Sequence, residues 1–189
     1  LTIFSLFLLG ANQLKNNTVV STVMSNMGLD LAISRAGGKL LRTDVGDRHV
    51  VEAMRKGGFS LGGEQSGHLV FGNISTTGDG ILAALMLLAV SIRKSQSLST
   101  LRKSLTKFPQ VHRNISVKTK VPLVEMPELD RYIRLLNEKL GRNGRVFFRY
   151  SGTEPKARIL LEGADEVLIS RMAEELAAKT TECINKHES

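Results

Sequence analysis

The sequence predicts an α/β protein, in which a three-layer domain with a parallel or mixed sheet is followed by a small α+β domain. Two observations carry this prediction. In the first half of the chain, short β-branched runs alternate with segments of helical periodicity, whereas beyond Phe108-Pro109 the order becomes strand, helix, strand, strand, helix. The 189 residues are 42% hydrophobic and 23% charged, a balance that excludes a disordered or collagenous chain.

Three strands and two helices of the first domain follow from the pattern of apolar residues. The β-branched run TVVSTV predicts a buried strand over 18–23, and two shorter strands are predicted over 39–43 and 59–62. Helices are predicted over 29–36 and 46–56, each followed by a Gly-Gly pair that can end it. This alternation is typical of a parallel sheet with helices packed on its faces.

Two other segments of the first domain are strongly apolar. The run LTIFSLFLLGA at 1–11 predicts a buried helix of a domain truncated at its N-terminus, with the remnant of a signal peptide as the alternative. This run is too short to span a bilayer, which takes about 20 apolar residues. Residues 78–95 predict a helix with Asp79 as its N-cap, apolar almost all round and therefore buried on several sides. A short helix is predicted over 98–105.

The break at Phe108-Pro109 sets the predicted domain boundary, so that residues 1–107 form the first domain and residues 108–189 the second. The second domain has the order βαββα. Its strands are predicted over 111–117, 146–150 and 157–162, and its helices over 128–140 and from 166 onward.

The chain is basic, since 26 Lys and Arg residues against 18 Asp and Glu give a net charge of +8. No acidic residue occurs between Gly80 and Val124. The basic residues of that stretch are Arg93, Lys94, Arg102, Lys103, Lys107, Arg113, Lys118 and Lys120. A nucleic-acid surface is one interpretation; a solvated surface that attracts anionic substrates is the other. The second is favoured, because no helix-turn-helix, zinc or RNA-recognition motif accompanies the charges. We therefore expect neither nucleic acid nor membrane as a partner.

The cysteine content bears on the cellular compartment. Cys183 is the single cysteine, so the sequence admits no intrachain disulfide. That is compatible with reducing conditions, and a cytoplasmic location is expected.

A phosphate-binding turn is predicted at RYSGTEPKAR, between the last two strands. Ser151 and Thr153 supply hydroxyl donors, and Gly152 lets the backbone approach a ligand closely. The guanidinium groups of Arg149 and Arg158 match phosphate oxygens bidentately. A charged hairpin turn without a ligand is the alternative, because such turns contain similar residues.

A second candidate loop, GGEQSGH at 62–68, follows a predicted strand, where ligand loops of parallel α/β sheets lie. Glu64 and Ser66 are two residues apart, so in an extended loop they point the same way and can bind adjacent hydroxyls of a sugar. His68 can move a proton at neutral pH. The alternative is a glycine-rich turn with a surface carboxylate.

Together the two motifs, GGEQSGH and, about eighty residues later, RYSGTEPKAR, closely resemble the α-D-phosphohexomutase family. The resemblance runs from KNNTVVSTVMSNMGLD to the end of the chain. It identifies the first motif as the sugar-binding loop of the third domain and the second as the phosphate-binding loop of the fourth. Gln65, the TDVGDR segment and GNISTTGDG resemble members that act on glucosamine phosphates. Members that act on mannose or glucose phosphates are the alternative.

The resemblance implies a role for each matching residue of the two loops. Glu64 and Ser66 would hold the O3 and O4 hydroxyls of the hexose. The second loop would bind the phosphate that is not being transferred. Its residues are Arg149, Ser151, Gly152 and Thr153, with Arg158 in support.

Three further residues carry expected catalytic roles by the same resemblance. His68 would be a proton shuttle near the reacting end of the sugar. Asp47 and Arg48 fall in the other active-site loop of the third domain. The implied reaction transfers phosphate from an enzyme phosphoserine to the sugar, and the sugar then reorients and returns its other phosphate.

The sequence also departs from the family pattern. The phosphoserine loop belongs to the first domain and the aspartate-rich magnesium loop to the second, and neither motif occurs here. The string Gly78-Asp79-Gly80 has one carboxylate where the magnesium site needs three. The chain is therefore expected to be most of domain three and all of domain four, inactive alone, with the missing N-terminal domains as partner. Mg²⁺ would serve the complete enzyme, which would bind a glucosamine phosphate and could form a homodimer.

Two non-enzymatic interpretations stay open beside this one. The chain could act as a free-standing module that binds phosphosugars without turnover. It could also be a basic nucleic-acid-binding protein that descends from such an enzyme.

Overall fold

The computed structural model describes residues 1–188, which form two compact units, one over Leu1–Lys107 and one that begins at Phe108. Each unit has its own sheet and its own hydrophobic core. The units are therefore described one at a time.

The sheet of the first unit has four strands in the order β2-β1-β3-β4. They are β1 (Thr18–Thr22), β2 (Lys39–Thr43), β3 (Leu61–Gly63) and β4 (Leu69–Phe71). The first three are parallel, and β4 pairs antiparallel with β3, so the predicted parallel or mixed sheet is confirmed as mixed. The sequence analysis missed β4, because three apolar residues between His68 and Gly72 are too short a run to show strand periodicity.

Helices cover both faces of this sheet. They are α1 (Thr2–Gly10), α2 (Met27–Arg35), α3 (Asp47–Gly57), α4 (Gly80–Lys94) and the single turn α5 (Leu98–Leu101). Val19 and Val20 of β1 are both fully buried but belong to different clusters, because neighbouring strand residues point to opposite faces. Val19 packs with α1, α2 and α4, and Val20 with α3. Three layers result, as predicted.

The predicted helix over 1–11 is confirmed as α1, with Phe4 and Leu9 buried in the core. The predicted burial of α4 on several sides is wrong. One stripe packs on the core through Leu82, Ala83, Met86 and Leu87. The opposite stripe, formed by Ile81, Leu85, Leu88 and Ile92, is 52–77% exposed. The reason is geometric, since a helix that lies against a single layer buries one side only.

No single helix among residues 1–188 is long and apolar enough to cross a membrane. Helix α4 and the segment Leu98–Ser104 reach that length and apolar composition only together, and a bend of 93° separates them.

The second unit has the predicted βαββα order. Its elements are β5 (Gln110–Ser116), α6 (Pro127–Leu140), β6 (Gly144–Tyr150), β7 (Lys156–Gly163) and α7 (Glu166–Glu188). The three strands are antiparallel in the order β5-β7-β6. Val146, Ile159 and Leu161 point from the sheet into a core shared with α6 and α7, where Cys183 is also buried. Residues 145, 149 and 158 therefore project from the other face, because strand residues alternate.

Candidate functional site

The sugar-loop candidate Gly62–His68 begins at the carboxyl end of β3, beside the end of β1. The chain passes from β1 to β2 on one side of β1 and returns to β3 on the other side, so the strand order reverses there. Crevices at such reversals are where open α/β sheets bind ligands. The fold therefore puts the predicted loop at the expected edge.

Glu64 is held through both its backbone and its side chain. Its N–H donates to the carbonyl of His68 at 2.9 Å, and its carbonyl accepts from the N–H of Gly67 at 3.2 Å. Its Oε1 accepts a hydrogen bond from the backbone N–H of Gly46 at 2.9 Å. Within residues 1–188, no group donates to Glu64 Oε2. One carboxylate oxygen is thus engaged, and the other is available to a ligand.

The peptide group before Glu64 is fixed by a buried pair of serines. Ser21 Oγ donates to the carbonyl of Gly63 at 2.6 Å, and the hydroxyls of Ser21 and Ser25 lie 2.5 Å apart. Because a hydroxyl carries one proton, Ser25 is the donor within this pair. The sequence analysis did not predict these hydrogen bonds, since nothing in a β-branched strand indicates that a serine will face a neighbouring carbonyl.

Ser66 and His68 are exposed and face each other. Ser66 Oγ lies 3.1 Å from His68 Nδ1, within hydrogen-bond distance. The pair joins a hydroxyl to an imidazole in the same loop as Glu64. This arrangement can pass a proton between a bound hydroxyl and the ring.

Asp47 and Arg48 are exposed in the first turn of α3. Asp47 Oδ1 accepts from the backbone N–H of Arg48 at 2.8 Å, so the carboxylate is held against the first turn of α3. The residue just before them, Gly46, is the one whose amide reaches Glu64. The structure thus links this loop to the sugar loop through a backbone group that the sequence analysis did not single out.

The phosphate-loop candidate joins β6 to β7. Arg149 and Arg158 are directly opposite each other in the antiparallel register, and therefore on the same face. The Nε atoms of both are buried and have no hydrogen-bond partner among residues 1–188. Burial lowers the pKa of Arg149, and the positive charge of Arg158 lowers it further. Like charges directly opposite destabilise a strand pair, so this pair favours an anion between its members.

Backbone amides at the tip of the same hairpin are also open. Ser151 is buried and its N–H donates to the carbonyl of Lys156 at 2.8 Å, which closes the turn. Gly152 and Thr153 are exposed, and their N–H groups donate to no acceptor within residues 1–188. Free amides beside a pair of guanidinium groups are the donor set that a phosphate needs.

Two residues that the sequence analysis left without a role also shape this turn. Glu154 accepts from Lys156 Nζ at 2.6 Å and forms an ion pair with Arg158. Hydrogen bonds from Lys156 and then Arg158 lower the pKa of the Glu154 carboxyl. Lys120 Nζ donates to the carbonyl of Ser151 at 2.6 Å. The sequence offered a signal for Glu154, because it lies two residues from Lys156 and four from Arg158. It offered none for Lys120, which is 31 residues from Ser151.

A magnesium site does not fit the described residues. Among residues 1–188 no three His, Cys, Asp or Glu side chains lie close enough together to hold a metal. Asp79 accepts from the backbone N–H of Leu82 at 2.9 Å, which confirms it as the N-cap of α4. No step of the chemistry is therefore assigned to a metal on these residues.

Family models match both halves of the chain. The model of the phosphoglucomutase/phosphomannomutase alpha/beta/alpha domain III matches residues 1–108, and that of the C-terminal domain of the same enzymes matches residues 108–179. Together they span most of the sequence, and the first alone covers more than half of it.

The chain is also similar to curated bacterial proteins. It is 50% identical over 177 residues to a phosphoglucosamine mutase of Syntrophotalea carbinolica, a match that covers 94% of this chain and 39% of the relative. It is 55% identical over 163 residues to the phosphoglucosamine mutase of Pelobacter propionicus, covering 86% of this chain and 36% of the relative. The matches therefore span less than two fifths of the length of these relatives.

Solved structures support the fold. The N-acetylphosphoglucosamine mutase of Aspergillus fumigatus superimposes with a TM-score of 0.82 at 20% identity, over 97% of this chain and 42% of that one. A structure of the same fungal enzyme in complex with GlcNAc-6P and magnesium gives a TM-score of 0.77 at 19% identity, over 97% of this chain and 43% of that one. The family models, which rest on sequence, carry the assignment further: this chain belongs to the phosphoglucomutase/phosphomannomutase family, of which it holds domain III and the C-terminal domain.

Proposed function

We propose that this chain is the C-terminal part of a phosphoglucosamine mutase, an isomerase that interconverts glucosamine 6-phosphate and glucosamine 1-phosphate by way of an enzyme phosphoserine. The observation that carries the proposal is the Arg149–Arg158 pair, whose buried Nε atoms lack partners beside the open amides of Gly152 and Thr153. Identity of about half the residues to phosphoglucosamine mutases supports the choice of sugar.

In this proposal the phosphate loop binds the phosphate that is not being transferred. Arg149 and Arg158 supply bidentate charge, and Ser151, Gly152 and Thr153 supply hydroxyl and amide donors. These groups can bind a phosphate attached to either end of the hexose, because they contact the phosphate and not the sugar carbon that carries it. Such a site suits a reaction in which the sugar reorients between two transfers.

The sugar loop is proposed to bind the hydroxyls O3 and O4 through Glu64 and Ser66. The free Oε2 of Glu64 accepts from one hydroxyl, and Ser66 contributes a second contact. His68 takes the proton of the sugar hydroxyl as its oxygen attacks the phosphorus, and returns a proton to that oxygen when the reverse transfer releases it, with Ser66 orienting the ring. Asp47 and Arg48 extend the same binding edge.

The complete enzyme supplies what these residues do not. A phosphoserine and a magnesium site are proposed to come from N-terminal domains, since the fungal neighbour was solved with magnesium and this chain offers no ligand cluster within residues 1–188. Magnesium there would polarise the transferring phosphoryl group. Residues 1–107 and 108–189 would act as domains three and four of that enzyme. Its homodimer and its cytoplasmic location stay predictions.

Calorimetric titration tests the proposal. Glucosamine 6-phosphate should bind more tightly than inorganic phosphate, glucosamine, mannose 6-phosphate or glucose 6-phosphate. Glu64→Ala should weaken binding of the sugar phosphate by about 1.5–3 kcal/mol and leave inorganic phosphate unaffected, because a carboxylate contributes only to the sugar. Equal losses for both ligands would remove Glu64 from the sugar site.

Other outcomes of the titration would favour the alternatives. Preference for mannose or glucose phosphates would assign the chain to those members of the family. Salt-dependent DNA binding without binding of sugar phosphate would favour a nucleic-acid function. Turnover tests the expected inactivity of this chain alone: the 189-residue chain should not form glucosamine 1-phosphate from glucosamine 6-phosphate with magnesium and glucose 1,6-bisphosphate.

A further inference from the structure

We propose that Gly46 is a positioning residue for sugar selectivity, because its backbone amide fixes the direction in which Glu64 offers its carboxylate. The inference rests on the proposed role of Glu64 and adds to it. In this view the Thr43–Arg48 segment acts on the sugar through one peptide N–H, in addition to any contact made by Asp47 or Arg48.

The backbone around Glu64 is already fixed on three sides. The carbonyl before it is bound by Ser21, its own N–H by the carbonyl of His68, and its own carbonyl by the N–H of Gly67. What these bonds leave free is the side chain, which has three rotatable bonds and is only partly buried. The bond from Gly46 N–H to Oε1 at 2.9 Å is the contact that restrains it.

The conformation of Gly46 is what makes this amide available. Its φ is +126° and its ψ is 133°, a backbone conformation that residues other than glycine rarely adopt. The residue stands immediately before α3, so its N–H belongs to no helical hydrogen bond and can point at a side chain. An added Cβ would meet only His49 Cδ2, at an ordinary 3.5 Å. Alanine at this position would therefore act through backbone conformation and not through a clash.

A restrained carboxylate distinguishes sugars by the direction of their hydroxyls. With Oε1 held by Gly46, the free oxygen of Glu64 keeps one orientation and matches a hydroxyl that leaves the ring in one direction. Glucosamine 6-phosphate and galactosamine 6-phosphate differ only in the direction of O4. The geometry thus assigns part of the discrimination between these two epimers to Gly46.

The test is a double-mutant cycle on the ratio of dissociation constants for galactosamine 6-phosphate and glucosamine 6-phosphate. Gly46→Ala should weaken binding of glucosamine 6-phosphate about tenfold, reduce the ratio and leave inorganic phosphate binding unchanged. In the Glu64→Ala background, Gly46→Ala should change the ratio no further. Additive effects of the two substitutions would overturn the inference.

Gly37→Ala is the matched control. Gly37 also has a positive φ, of +79°, and no atom lies within 4 Å of the site where its Cβ would be. Its substitution therefore places a side chain at a positive φ in the same unit without touching Glu64, and the epimer ratio should stay at the wild-type value. If Gly37→Ala lowers the ratio as much as Gly46→Ala does, general strain explains the effect and the inference fails.

Amide hydrogen exchange tests the contact without altering Gly46. The Gly46 amide should exchange slowly in the wild-type chain, faster in Glu64→Ala, and slowly again in Glu64→Gln, which keeps an oxygen acceptor. Equal exchange in all three would overturn the inference. If the wild type does not prefer glucosamine 6-phosphate to inorganic phosphate, the proposed function itself fails, a result that the exchange measurement distinguishes from failure of the Gly46 contact.

Discussion

The sugar loop and the phosphate loop hold their charged groups in opposite ways. In the first, the negative charge of Glu64 is met by a backbone donor, and the N–H and the carbonyl of Glu64 are both hydrogen-bonded within the loop. In the second, two positive groups face each other, Glu154 forms an ion pair with Arg158, and the buried Nε atoms of both arginines have no partner among residues 1–188. The first loop thus holds its carboxylate in place with one oxygen left for a ligand, whereas the second favours an anion.

This difference has an energetic consequence. Binding at a restrained acceptor such as Glu64 requires little rearrangement, so this residue should contribute mainly to the choice between sugars. Binding of an anion at the arginine pair would relieve their repulsion and supply partners to buried donors, so this pair should contribute mainly to affinity for a phosphate. Anions should accordingly stabilise the second unit more than the first, because a ligand stabilises the unit that binds it.

The largest expected effect comes from Arg149→Met. Loss of two charge-assisted bonds should weaken binding of glucosamine 6-phosphate by about 3 kcal/mol or more, over a hundredfold. The melting temperature of the ligand-free chain should not fall, because the variant removes a half-buried charge, with a buried unpaired Nε, that faces Arg158. Calorimetry and thermal unfolding measure the two quantities.

Arg142→Met is the control for that variant, since Arg142 is exposed in the turn Gly141–Asn143 of the same unit. It should change neither affinity nor melting temperature. A fall in the melting temperature confined to Arg149→Met would show that Arg149 is structural and would break the contrast between the loops.

Ser21→Ala should reveal the opposite character of the sugar loop. It leaves the carbonyl of Gly63 and the hydroxyl of Ser25 without this partner, at a cost of about 1–3 kcal/mol in the free energy of unfolding. Urea unfolding of the ligand-free chain measures the loss. The exposed Ser99 offers a matched control, and Ser99→Ala should stay within about 0.5 kcal/mol of wild type. An unchanged stability for Ser21→Ala would mean that the hydrogen bond from Ser21 to the Gly63 carbonyl does not stabilise the loop.

The sequence was sufficient for elements that carry their own periodicity. The β-branched run of β1, the Gly-terminated helix α3 and the βαββα order of the second unit could all be predicted from local pattern. The hairpin that places Arg149 opposite Arg158 could also be predicted, because its two arginines lie close in sequence and a hairpin register brings them together.

The contacts that the sequence did not predict are those between a side chain and a backbone group far from it in the sequence. Gly46 is 18 residues from Glu64, and Ser21 is 42 residues from Gly63; both contacts depend on how parallel strands align. The outward stripe of α4 was wrongly expected to be buried, because apolar composition does not tell which side of a helix has a neighbour. Position in the sheet, and not residue type, decided these cases.

Thr153→Ala should have a smaller effect on the phosphate loop. It removes a hydroxyl but keeps the free N–H, so the affinity for inorganic phosphate should fall by about 0.5–1.5 kcal/mol. Thr181→Ala, an exposed threonine of α7 in the same unit, should leave the affinity unchanged. If Thr153→Ala binds as tightly as wild type, the backbone amides and arginines carry the whole interaction.

The smallest effect is expected from Glu154→Gln, because this carboxylate is partly exposed and its ion pairs are screened by water. Hydrogen bonds from Lys156 and Arg158 lower the pKa of Glu154 below its ordinary value of 4.5. The folded chain thus favours the ionised form, and the stability gained is present above pH 4.5 and is lost as the pH falls through the lower, folded pKa.

The measurement is the difference in melting temperature between wild type and Glu154→Gln, followed from neutral pH down to about pH 3. Wild type should be slightly more stable at neutral pH, and the difference should vanish at the acid end. Glu138→Gln, an exposed residue of α6, should show no such trend. Because Glu154 occupies Arg158 as a phosphate would, the variant should also bind inorganic phosphate at least as tightly as wild type. Weaker phosphate binding would instead assign Glu154 the task of orienting Arg158, which would make the phosphate loop as internally prepared as the sugar loop.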